Sequence, residues 1–437
     1  MKVAIYTLGC KVNQYETQAM EQELRARGHE TVSFSQEADA YVVNTCSVTA
    51  ASDQKCRQAV HRVRREHPEA VVAVCGCWSQ THAAEARALG ADVLTGTGDR
   101  MGFLGLLEKA VRERAASGER GAPLEAVDPP FERRHFEWLP AGGPGGRTRA
   151  LLKVEDGCAN FCSYCIIPYA RGPVRSLSMG EAAVQALELK NQGYQEIVLT
   201  GIEISSWGRD LHQGQTLIDL LEAVSAAVPG VRLRLGSLEP RTVTEEFCQR
   251  AAVLPDLCPQ FHLSLQSGCD ATLKRMRRKY DTARFFRSVE LLKKAFRHSA
   301  VTTDLITGFP GETEEEFQET LAFIQTCGFA RMHIFPYSER PGTPAAEMEQ
   351  VPKAVRAERA RRAADAAAAM RRAYLEDCVG KVYEVLFEQP AGEDGLFLGH
   401  APNYAEVLAK GTDLHNQVRP VKITRTDGEV LFGELEE

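Results

Sequence analysis

Strand-like and helix-like hydrophobic patterns alternate along the first hundred residues. Short apolar runs that predict strands cover residues 3–7, 40–44, 71–74 and 92–95. Helical periodicity separates these runs at residues 15–26, 52–66 and 82–88. This alternation predicts an α/β unit with a doubly wound parallel sheet, in which ligands bind beyond the carboxyl ends of the strands.

A second set of alternating elements follows a segment rich in glycine and proline. Six strands are predicted at residues 150–154, 196–200, 231–235, 261–265, 301–306 and 332–335, each followed by helical periodicity. Three helix starts match the capping-box pattern, at Ser178, Thr242 and Thr313. Six strand–helix units are fewer than the eight of a closed barrel, so we expect an open, partial (β/α)6 barrel.

The carboxyl-terminal part carries a third pattern. A helix predicted over residues 353–375 precedes short alternating apolar runs that are broken by Gly, Asn, Asp and Pro. Such runs are typical of a small barrel of antiparallel β-strands. Breaker-rich segments at residues 117–123 and 140–146 place a boundary near residue 145. We therefore expect three domains, at residues 1–140, 145–375 and 376–437.

Composition bears on the class of protein and its compartment. The 437 residues are 44% hydrophobic and 25% charged, as in an ordinary globular protein. No apolar run is long enough to span a bilayer and no cleavage site follows the start, so we expect a cytoplasmic protein without membrane contact. Thirteen cysteines in such a chain indicate ligating or buried thiols and not a disulfide framework.

The net charge of −7 gives no general attraction to nucleic acid, but two segments are locally basic. One spans residues 274–297 and the other spans residues 356–372. Clustered Lys and Arg side chains can neutralise the phosphates of RNA. The same stripes are equally typical of the solvated faces of amphipathic helices, so the sequence leaves both interpretations open.

Three cysteines that follow the first strand of the second set carry the most specific chemistry. Cys158, Cys162 and Cys165 have a C-x3-C-x2-C spacing. Three thiolates hold a [4Fe-4S] cluster but leave one iron open, where S-adenosylmethionine can bind and be cleaved to a carbon radical. A zinc site and three buried thiols are the alternatives. Zinc would need a fourth ligand, and His135 and His212 are distant in sequence.

A second trio of cysteines follows strands of the first set. Cys10, Cys46 and Cys77 each come just after one of its first three strands. Because the carboxyl ends of parallel strands meet at one sheet edge, we expect these thiols to hold a second cluster. Cys75 competes with Cys77 but lies within the apolar strand, and we assign it to the core. The remaining cysteines lack metal-like spacing and are expected to be buried.

Polar and glycine-rich residues follow the other strands of the partial barrel and suit a cofactor held at the strand ends. The candidate S-adenosylmethionine contacts are Gly201, Glu203, Glu239, Gln266, Ser267, Gly308, Pro310 and Tyr337. Taken singly, each glycine among them is also explained by a turn. Tyr337 and Arg340 are further candidates for the substrate side.

Several motifs in order give the chain a family resemblance. They are Thr7-Leu-Gly-Cys-Lys-Val-Asn-Gln-Tyr-Glu16, Asn44-Thr-Cys-Ser-Val-Thr49, Cys75-Gly-Cys-Trp-Ser-Gln80, Asp156-Gly-Cys-Ala-Asn-Phe-Cys-Ser-Tyr-Cys-Ile-Ile-Pro-Tyr-Ala-Arg-Gly172, His262-Leu-Ser-Leu-Gln-Ser-Gly268 and Gly308-Phe-Pro-Gly-Glu-Thr313. Over nearly its whole length the chain resembles the radical S-adenosylmethionine methylthiotransferases. The resemblance implies an amino-terminal cluster domain, a central radical domain and a carboxyl-terminal TRAM barrel.

The resemblance also implies cofactors and a reaction. The C-x3-C-x2-C trio would hold the radical [4Fe-4S] cluster, and Cys10, Cys46 and Cys77 would hold an auxiliary one. One S-adenosylmethionine would donate a methyl group to sulfur at the auxiliary cluster. A second would give a 5′-deoxyadenosyl radical that removes hydrogen from adenine C2, where the methylthio group is delivered.

The Gly-Cys-Lys-Val-Asn-Gln form of the first motif is similar to one branch of the family. That branch modifies N6-threonylcarbamoyladenosine at position 37 of tRNA. The implied partners are a tRNA anticodon stem-loop and an electron donor such as a flavodoxin or ferredoxin. Because both clusters must reach one substrate, we expect the strand ends of the first two domains to face each other.

Two alternative functions remain at this point. The first keeps the chemistry but takes N6-isopentenyladenosine in tRNA or a ribosomal-protein aspartate as the substrate. The second is an RNA-binding iron–sulfur electron carrier without turnover, which would release no 5′-deoxyadenosine.

Overall fold

The computed structural model describes residues 1–143, 147–392 and 395–436. The boundary predicted near residue 145 lies outside the described residues. Within these ranges, no helix is both long and apolar enough to cross a membrane. The three sequence patterns correspond to an amino-terminal α/β unit, a central open barrel of parallel strands and a small closed β-barrel, as predicted.

The amino-terminal unit is built on a parallel six-stranded sheet. Its strands are β1 (Lys2–Thr7), β2 (Glu30–Val32), β3 (Ala40–Thr45), β4 (Val71–Gly76), β5 (Val93–Thr95) and β6 (Leu124–Ala126). Its helices are α1 (Lys11–Ala26), α2 (Ala50–Glu66), α3 (Cys77–Thr81), α4 (Ala83–Ala88) and α5 (Arg100–Ser117). The strand order is β2-β1-β3-β4-β5-β6. The edge strands β2 and β6 give no signal in the sequence because each is three residues long and contains a glutamate, so neither forms an apolar run.

Helices cover both faces of this sheet, which confirms the doubly wound arrangement. On one face, Val60 of α2 packs in a cluster with Tyr41 of β3. On the other face, Leu24 of α1 and Phe103 of α5 pack in a cluster with Val42 of β3. Strands buried on both faces carry continuous apolar runs, and β3 and β4 are buried along their whole length.

The central unit is an open barrel of parallel strands. Its strands are β7 (Arg149–Lys153), β8 (Glu155–Asp156), β9 (Arg175–Ser176), β10 (Glu196–Thr200), β11 (Arg232–Leu235), β12 (Ser237–Leu238), β13 (Gln260–Gln266), β14 (Ala300–Thr307) and β15 (Arg331–Pro336). Gly236 interrupts the third barrel strand, so β11 pairs with β10 whereas β12 pairs with β13. The short strands β8 and β9 pair antiparallel at the base of the C-x3-C-x2-C loop.

Helices line the outside of this barrel. They are α6 (Ile167–Arg171), α7 (Met179–Asn191), α8 (Leu217–Ala227), α9 (Glu245–Ala252), α10 (Asp270–Arg275), α11 (Thr282–Ala295), α12 (Glu314–Cys327) and α13 (Lys353–Cys378). The capping boxes predicted at Ser178 and Thr313 are confirmed. The one predicted at Thr242 is wrong. The chain first makes a 3₁₀ turn from Pro240 to Thr242, so the helix starts later and Thr244 caps it.

A closed five-stranded barrel forms the carboxyl-terminal unit. Its strands are β16 (Val382–Pro390), β17 (Leu396–His400), β18 (Glu406–Lys410), β19 (Val418–Thr426) and β20 (Leu431–Leu435). The prediction that all strands of this barrel pair antiparallel is wrong, because β20 pairs with β18 in parallel. It docks at the amino-terminal ends of central strands, where Arg149 donates to the Tyr404 hydroxyl at 2.8 Å.

Candidate functional site

The loop that carries Cys158, Cys162 and Cys165 is a compact turn. Gly157 has a φ of +91°, and a Cβ there would lie 1.9 Å from the Pro173 carbonyl oxygen. Only glycine therefore lets the chain leave β8 in this direction. The Cys165 amide donates to the Cys162 carbonyl at 3.0 Å, which folds the second half of the loop back on itself.

The three cysteines of this loop lie close to one another, with Cys162 buried and Cys158 and Cys165 partly exposed. Burial raises the pKa of Cys158, and the neighbouring thiols Cys165 and Cys162 add to the effect. Burial followed by the Cys162 thiol raises the pKa of Cys165 to about 12. Arg278 Nη1 donates to Cys162 Sγ at 3.0 Å. A buried cation thus lies where a ligating thiolate would carry its negative charge.

The structure brings Cys10, Cys46 and Cys77 to one edge of the amino-terminal sheet. They follow β1, β3 and β4, which are adjacent strands. A Cβ at Gly9 would lie 2.8 Å from Cys46 Sγ, so the end of β1 passes directly over this thiol. Burial raises the pKa of Cys46 to about 12, and Cys77 and Cys10 add to the rise. Cys75 lies inside β4 and is fully buried.

Arg171 connects the two trios of cysteines. It ends α6, the helix that follows Cys165. Burial raises the pKa of the Cys77 thiol, and the nearby positive charge of Arg171 offsets part of the rise. Burial also raises the pKa of Cys165, with Cys77 among the groups that add to the effect. The helix α3, which begins at Cys77, packs against α6, so the two groups of cysteines meet across α6.

A buried ionic network fixes this arrangement. Glu16 of α1 is inaccessible to solvent and accepts from Arg100 Nη2 at 2.8 Å, Arg171 Nη2 at 3.2 Å and Lys153 Nζ at 3.4 Å. Burial alone would raise the pKa of Glu16, but the three cations outweigh it and hold this pKa at about 2. Asp156 Oδ2 lies 3.0 Å from Lys153 Nζ. The network joins the amino-terminal unit to the first strand and cysteine loop of the central barrel.

The donor set at each trio fits an iron–sulfur cluster. Three cysteine sulfurs are typical ligands of a [4Fe-4S] cluster that keeps one iron open. Arg278 beside Cys162 and Arg171 beside Cys77 would compensate the negative charge of the bound clusters. In the described ranges, no three His, Cys, Asp or Glu side chains are arranged to hold a single metal ion.

The loop after β10 is tied to the cysteine loop through Glu203. Its Oε2 accepts from Asn160 Nδ2 at 3.1 Å, and its amide donates to Glu155 Oε2 at 2.7 Å. A Cβ at Gly201 would lie 2.6 Å from the same oxygen of Glu155. Burial raises the pKa of Glu155 well above its usual range. The predicted contacts Gly201 and Glu203 therefore lie beside the C-x3-C-x2-C loop.

Gln266 and Tyr337 line a cavity of about 200 Å³ between the amino-terminal and central units. Val48 and Thr49, which follow Cys46, form its opposite side. The cavity lies beyond the carboxyl ends of β13 and β15, where parallel barrels bind their ligands. A molecule held there would be within reach of both units.

The other predicted contacts are placed differently. Glu239 lines a separate cavity of about 600 Å³ at the rim of the barrel. Ser267 is fully buried, and its hydroxyl forms a hydrogen bond with α12. A Cβ at Gly308 would lie 2.5 Å from Arg356 Cγ, and Pro310 is buried nearby. The structure does not bring these four residues together with Gln266 at one surface.

Lys11, directly after Cys10, lines a further cavity of about 300 Å³ beside α1. Burial, followed by the charges of Arg234 and Arg149, lowers the pKa of Lys11 to about 8. The side chain nevertheless keeps an exposed surface. Both observations are explained when the ammonium group lies deep in the molecule but faces a solvent-accessible space.

The functional residues that the sequence did not single out are buried charges. Arg171, Arg278 and Glu155 have no spacing that marks them. Their partners are distant in sequence, as in the contact between Arg278 and Cys162. The available signal is a charged residue inside an otherwise apolar or glycine-flanked motif, such as the Ala-Arg-Gly that ends at residue 172.

Known proteins match the chain over nearly its whole length. Residues 2–96 match "Uncharacterized protein family UPF0004" and residues 152–324 match the "Radical SAM superfamily". The chain is 41% identical over 430 residues to the threonylcarbamoyladenosine tRNA methylthiotransferase MtaB of Bacillus subtilis, covering 97% of this chain and 94% of that protein. It is 34% identical to a tRNA-2-methylthio-N(6)-dimethylallyladenosine synthase of Nitratidesulfovibrio vulgaris, covering 98% and 97%.

Solved structures share the fold. The radical S-adenosylmethionine methyltransferase TsrM from Kitasatospora setae superimposes with a TM-score of 0.55 at 16% identity, covering 79% of this chain and 77% of that one. This likeness concerns the architecture alone. The identity to the sequence relatives extends over nearly the full length of the chain and therefore shows its family. The chain belongs to the radical S-adenosylmethionine methylthiotransferase family.

Proposed function

We propose that this chain inserts a methylthio group at C2 of N6-threonylcarbamoyladenosine at position 37 of tRNA. The observation that carries the proposal is the meeting of the two groups of cysteines across α6, because this helix follows Cys165 and is packed against α3, which begins at Cys77. An electron carrier normally ligates each cluster with four cysteines and has no need of two clusters that each keep an open iron. The 41% identity to a threonylcarbamoyladenosine tRNA methylthiotransferase supports the choice of nucleoside.

In this proposal each residue group has a separate task. When bound, the two [4Fe-4S] clusters and S-adenosylmethionine supply the electron, the carbon radical and the methylthio sulfur. Cys158, Cys162 and Cys165 ligate the radical cluster. Gly201 and Glu203 lie beside that loop and would bind the polar end of S-adenosylmethionine.

The remaining residues of the site orient the substrate and protect the reaction. Cys10, Cys46 and Cys77 ligate the auxiliary cluster. Gln266 and Tyr337 line the cavity between the units and would position the reacting molecules. Cys46, Cys77 and Cys162 are buried, and a site closed to water around them would protect a carbon radical from side reactions.

The proposal includes partners and organisation. An anticodon stem-loop is the substrate, and a flavodoxin or ferredoxin is the class of electron donor that would reduce the radical cluster. The division into residues 1–140, 145–375 and 376–437 and the cytoplasmic localisation belong to the same proposal. The carboxyl-terminal barrel would contribute an RNA contact.

The test uses anaerobically reconstituted protein and an anticodon stem-loop RNA that carries N6-threonylcarbamoyladenosine. Mass spectrometry measures 5′-deoxyadenosine and the methylthiolated nucleoside together. The Cys162→Ala variant should form neither product. The Cys77→Ala variant should form 5′-deoxyadenosine without the methylthiolated nucleoside, because only the auxiliary site is lost.

Cys248→Ala is the matched control, because Cys248 is a buried cysteine of α9 far from both trios in sequence. This variant should form both products. Full methylthiolation by Cys77→Ala would contradict the assignment of Cys77 as a ligand of the auxiliary cluster. Methylthiolation of an isopentenyladenosine RNA in place of the threonylcarbamoyl RNA would overturn the choice of nucleoside.

A further inference from the structure

The cavity beside α1 is lined by an unusual number of cations. Its volume is about 300 Å³. Its charged lining residues are Lys11, Arg147, Arg149, Arg234 and Glu388. Four positive charges and one negative charge therefore face the same small space. A cavity with this balance favours an anionic ligand.

The charges of this cavity are not equally available to a ligand. Arg234 forms a bidentate pair with Glu196, with distances of 2.7 and 2.9 Å. Arg149 Nε lies 2.8 Å from Glu388 Oε1. In the part of the chain that the structure describes, no carboxylate forms an ion pair with Lys11. The ammonium group of Lys11 is therefore left to interact with whatever enters the cavity.

The position of Lys11 connects this cavity to the site of sulfur insertion. Lys11 follows Cys10, a proposed ligand of the auxiliary cluster. Lys11 begins α1, and the cavity that it lines is also lined by Leu151 of β7, Val198 of β10 and Arg234 of β11. The ammonium group thus lies between the auxiliary trio and the interior of the open barrel.

We propose that Lys11 determines substrate specificity by pairing with the carboxylate of the threonyl group on the target adenosine. The inference rests on the proposed function and adds the residue that reads the substituent. The threonylcarbamoyl group ends in a carboxylate, whereas a dimethylallyl group is wholly apolar. An apolar group in this cavity would remove water from Lys11 without offering it a partner, so the same residue rejects the wrong nucleoside.

The test compares two anticodon stem-loop RNAs that differ only in the threonyl group, one with the carboxylate and one with a carboxamide in its place. Fluorescence anisotropy measures the Kd of each RNA for reconstituted protein without S-adenosylmethionine. Phosphate contacts dominate RNA affinity and depend on salt. They are the same for both RNAs, so the ratio of the two Kd values isolates the carboxylate.

The unchanged protein should bind the carboxylate RNA about tenfold more tightly, equivalent to about 1.4 kcal/mol. Lys11→Met keeps the length of the side chain without its charge and should bring the ratio close to one. Lys11→Arg restores a cation and should restore most of the preference. Lys109→Met is the matched control, because Lys109 lies on the outer helix α5, and it should keep the full ratio.

The ratio is measured within each variant, so a general loss of affinity or of cluster content cancels. A preference that persists in Lys11→Met would overturn the assignment. The assignment of Lys11 would also fail if the unchanged protein modifies the carboxylate RNA but binds both RNAs equally. Failure of the unchanged protein to modify that RNA at all would count against the proposed function, which separates the two conclusions.

Discussion

Replacing Glu16 with Gln tests how strongly the two units are held together. Glu16 is inaccessible to solvent and lies against Arg100, Arg171 and Lys153. Gln has nearly the same shape, so packing is kept while the negative charge is removed. Three buried cations then face only Asp156 and the nearby Glu137. The substitution leaves positive charge uncompensated in the interior of the interface.

The expected loss of stability follows from two lines of reasoning. Holding the pKa of Glu16 at about 2 instead of 4.5 corresponds to about 3 kcal/mol of net attraction for the charged form. Removing one partner from a buried ion pair costs about 3–5 kcal/mol in general. The two values agree. Because Asp156 and Glu137 still compensate part of the positive charge, the lower end of the range of about 3–5 kcal/mol applies. We therefore expect a loss of about 3 kcal/mol in the free energy of unfolding.

The assay is urea denaturation of the full-length protein at pH 7, followed by circular dichroism. Glu23→Gln is the control on the same helix, because Glu23 pairs with Arg27 at a partly exposed surface. Exposed pairs contribute less than about 1 kcal/mol. Equal midpoints for the two variants would refute the claim that the buried network stabilises the interface.

The pH dependence of the same experiment has a defined sign. The folded pKa of Glu16 lies below its unfolded value, so its contribution is fully present above pH 4.5 and is lost as the pH falls towards 2. The difference between the Glu16→Gln variant and the unchanged protein should therefore be constant between pH 6 and 8. A difference that grows as the pH falls towards 3 would contradict this assignment.

Two further predictions concern the site proposed for the auxiliary cluster. Gly9→Ala places a Cβ 2.8 Å from Cys46 Sγ at a φ of +105°, so this variant should lower the iron content of reconstituted protein by about one cluster. Gly105→Ala is the control, because Gly105 has open space around it, and this variant should keep the full iron content. Burial raises the pKa of Cys46 to about 12, so iron must displace the proton of this thiol when it binds. The apparent iron affinity of the apoprotein should therefore rise steeply between pH 7 and 9. Chelator competition measures this affinity, and an unchanged value would contradict protonated, buried thiols.

The sequence predicts the layers of this protein well because its periodicities are strong. Strands β3 and β4 carry continuous apolar runs, and the helix starts at Ser178 and Thr313 carry complete capping signals. The thiol trios were also predictable, since each cysteine follows a strand. The edge strands β2 and β6 were not, because each is short, partly exposed and interrupted by a glutamate, and therefore lacks an apolar run.

Interactions between units are harder to derive from sequence. Arg340, a candidate for the substrate side, instead pairs at 2.6 Å with Asp53 of α2, and both side chains are largely buried. Glu16 and Arg171 are separated by 155 positions. Nothing in the local pattern of either residue names its partner, because an ion pair leaves no periodicity along the chain. Such pairs become visible only when the units are docked.

The ionic network around Glu16 has a consequence for recombination between relatives. An isolated amino-terminal half would carry Arg100 together with Glu16 and the nearby Glu137. The other half would retain Lys153, Arg171 and Arg175, and their ion-pair partner among the described residues of that half is Asp156. A chimera that joins halves from two homologues therefore folds well only if its junction inherits a matching set of charges. A substitution of one of these charges in one half should therefore be accompanied by a compensating substitution in the other half.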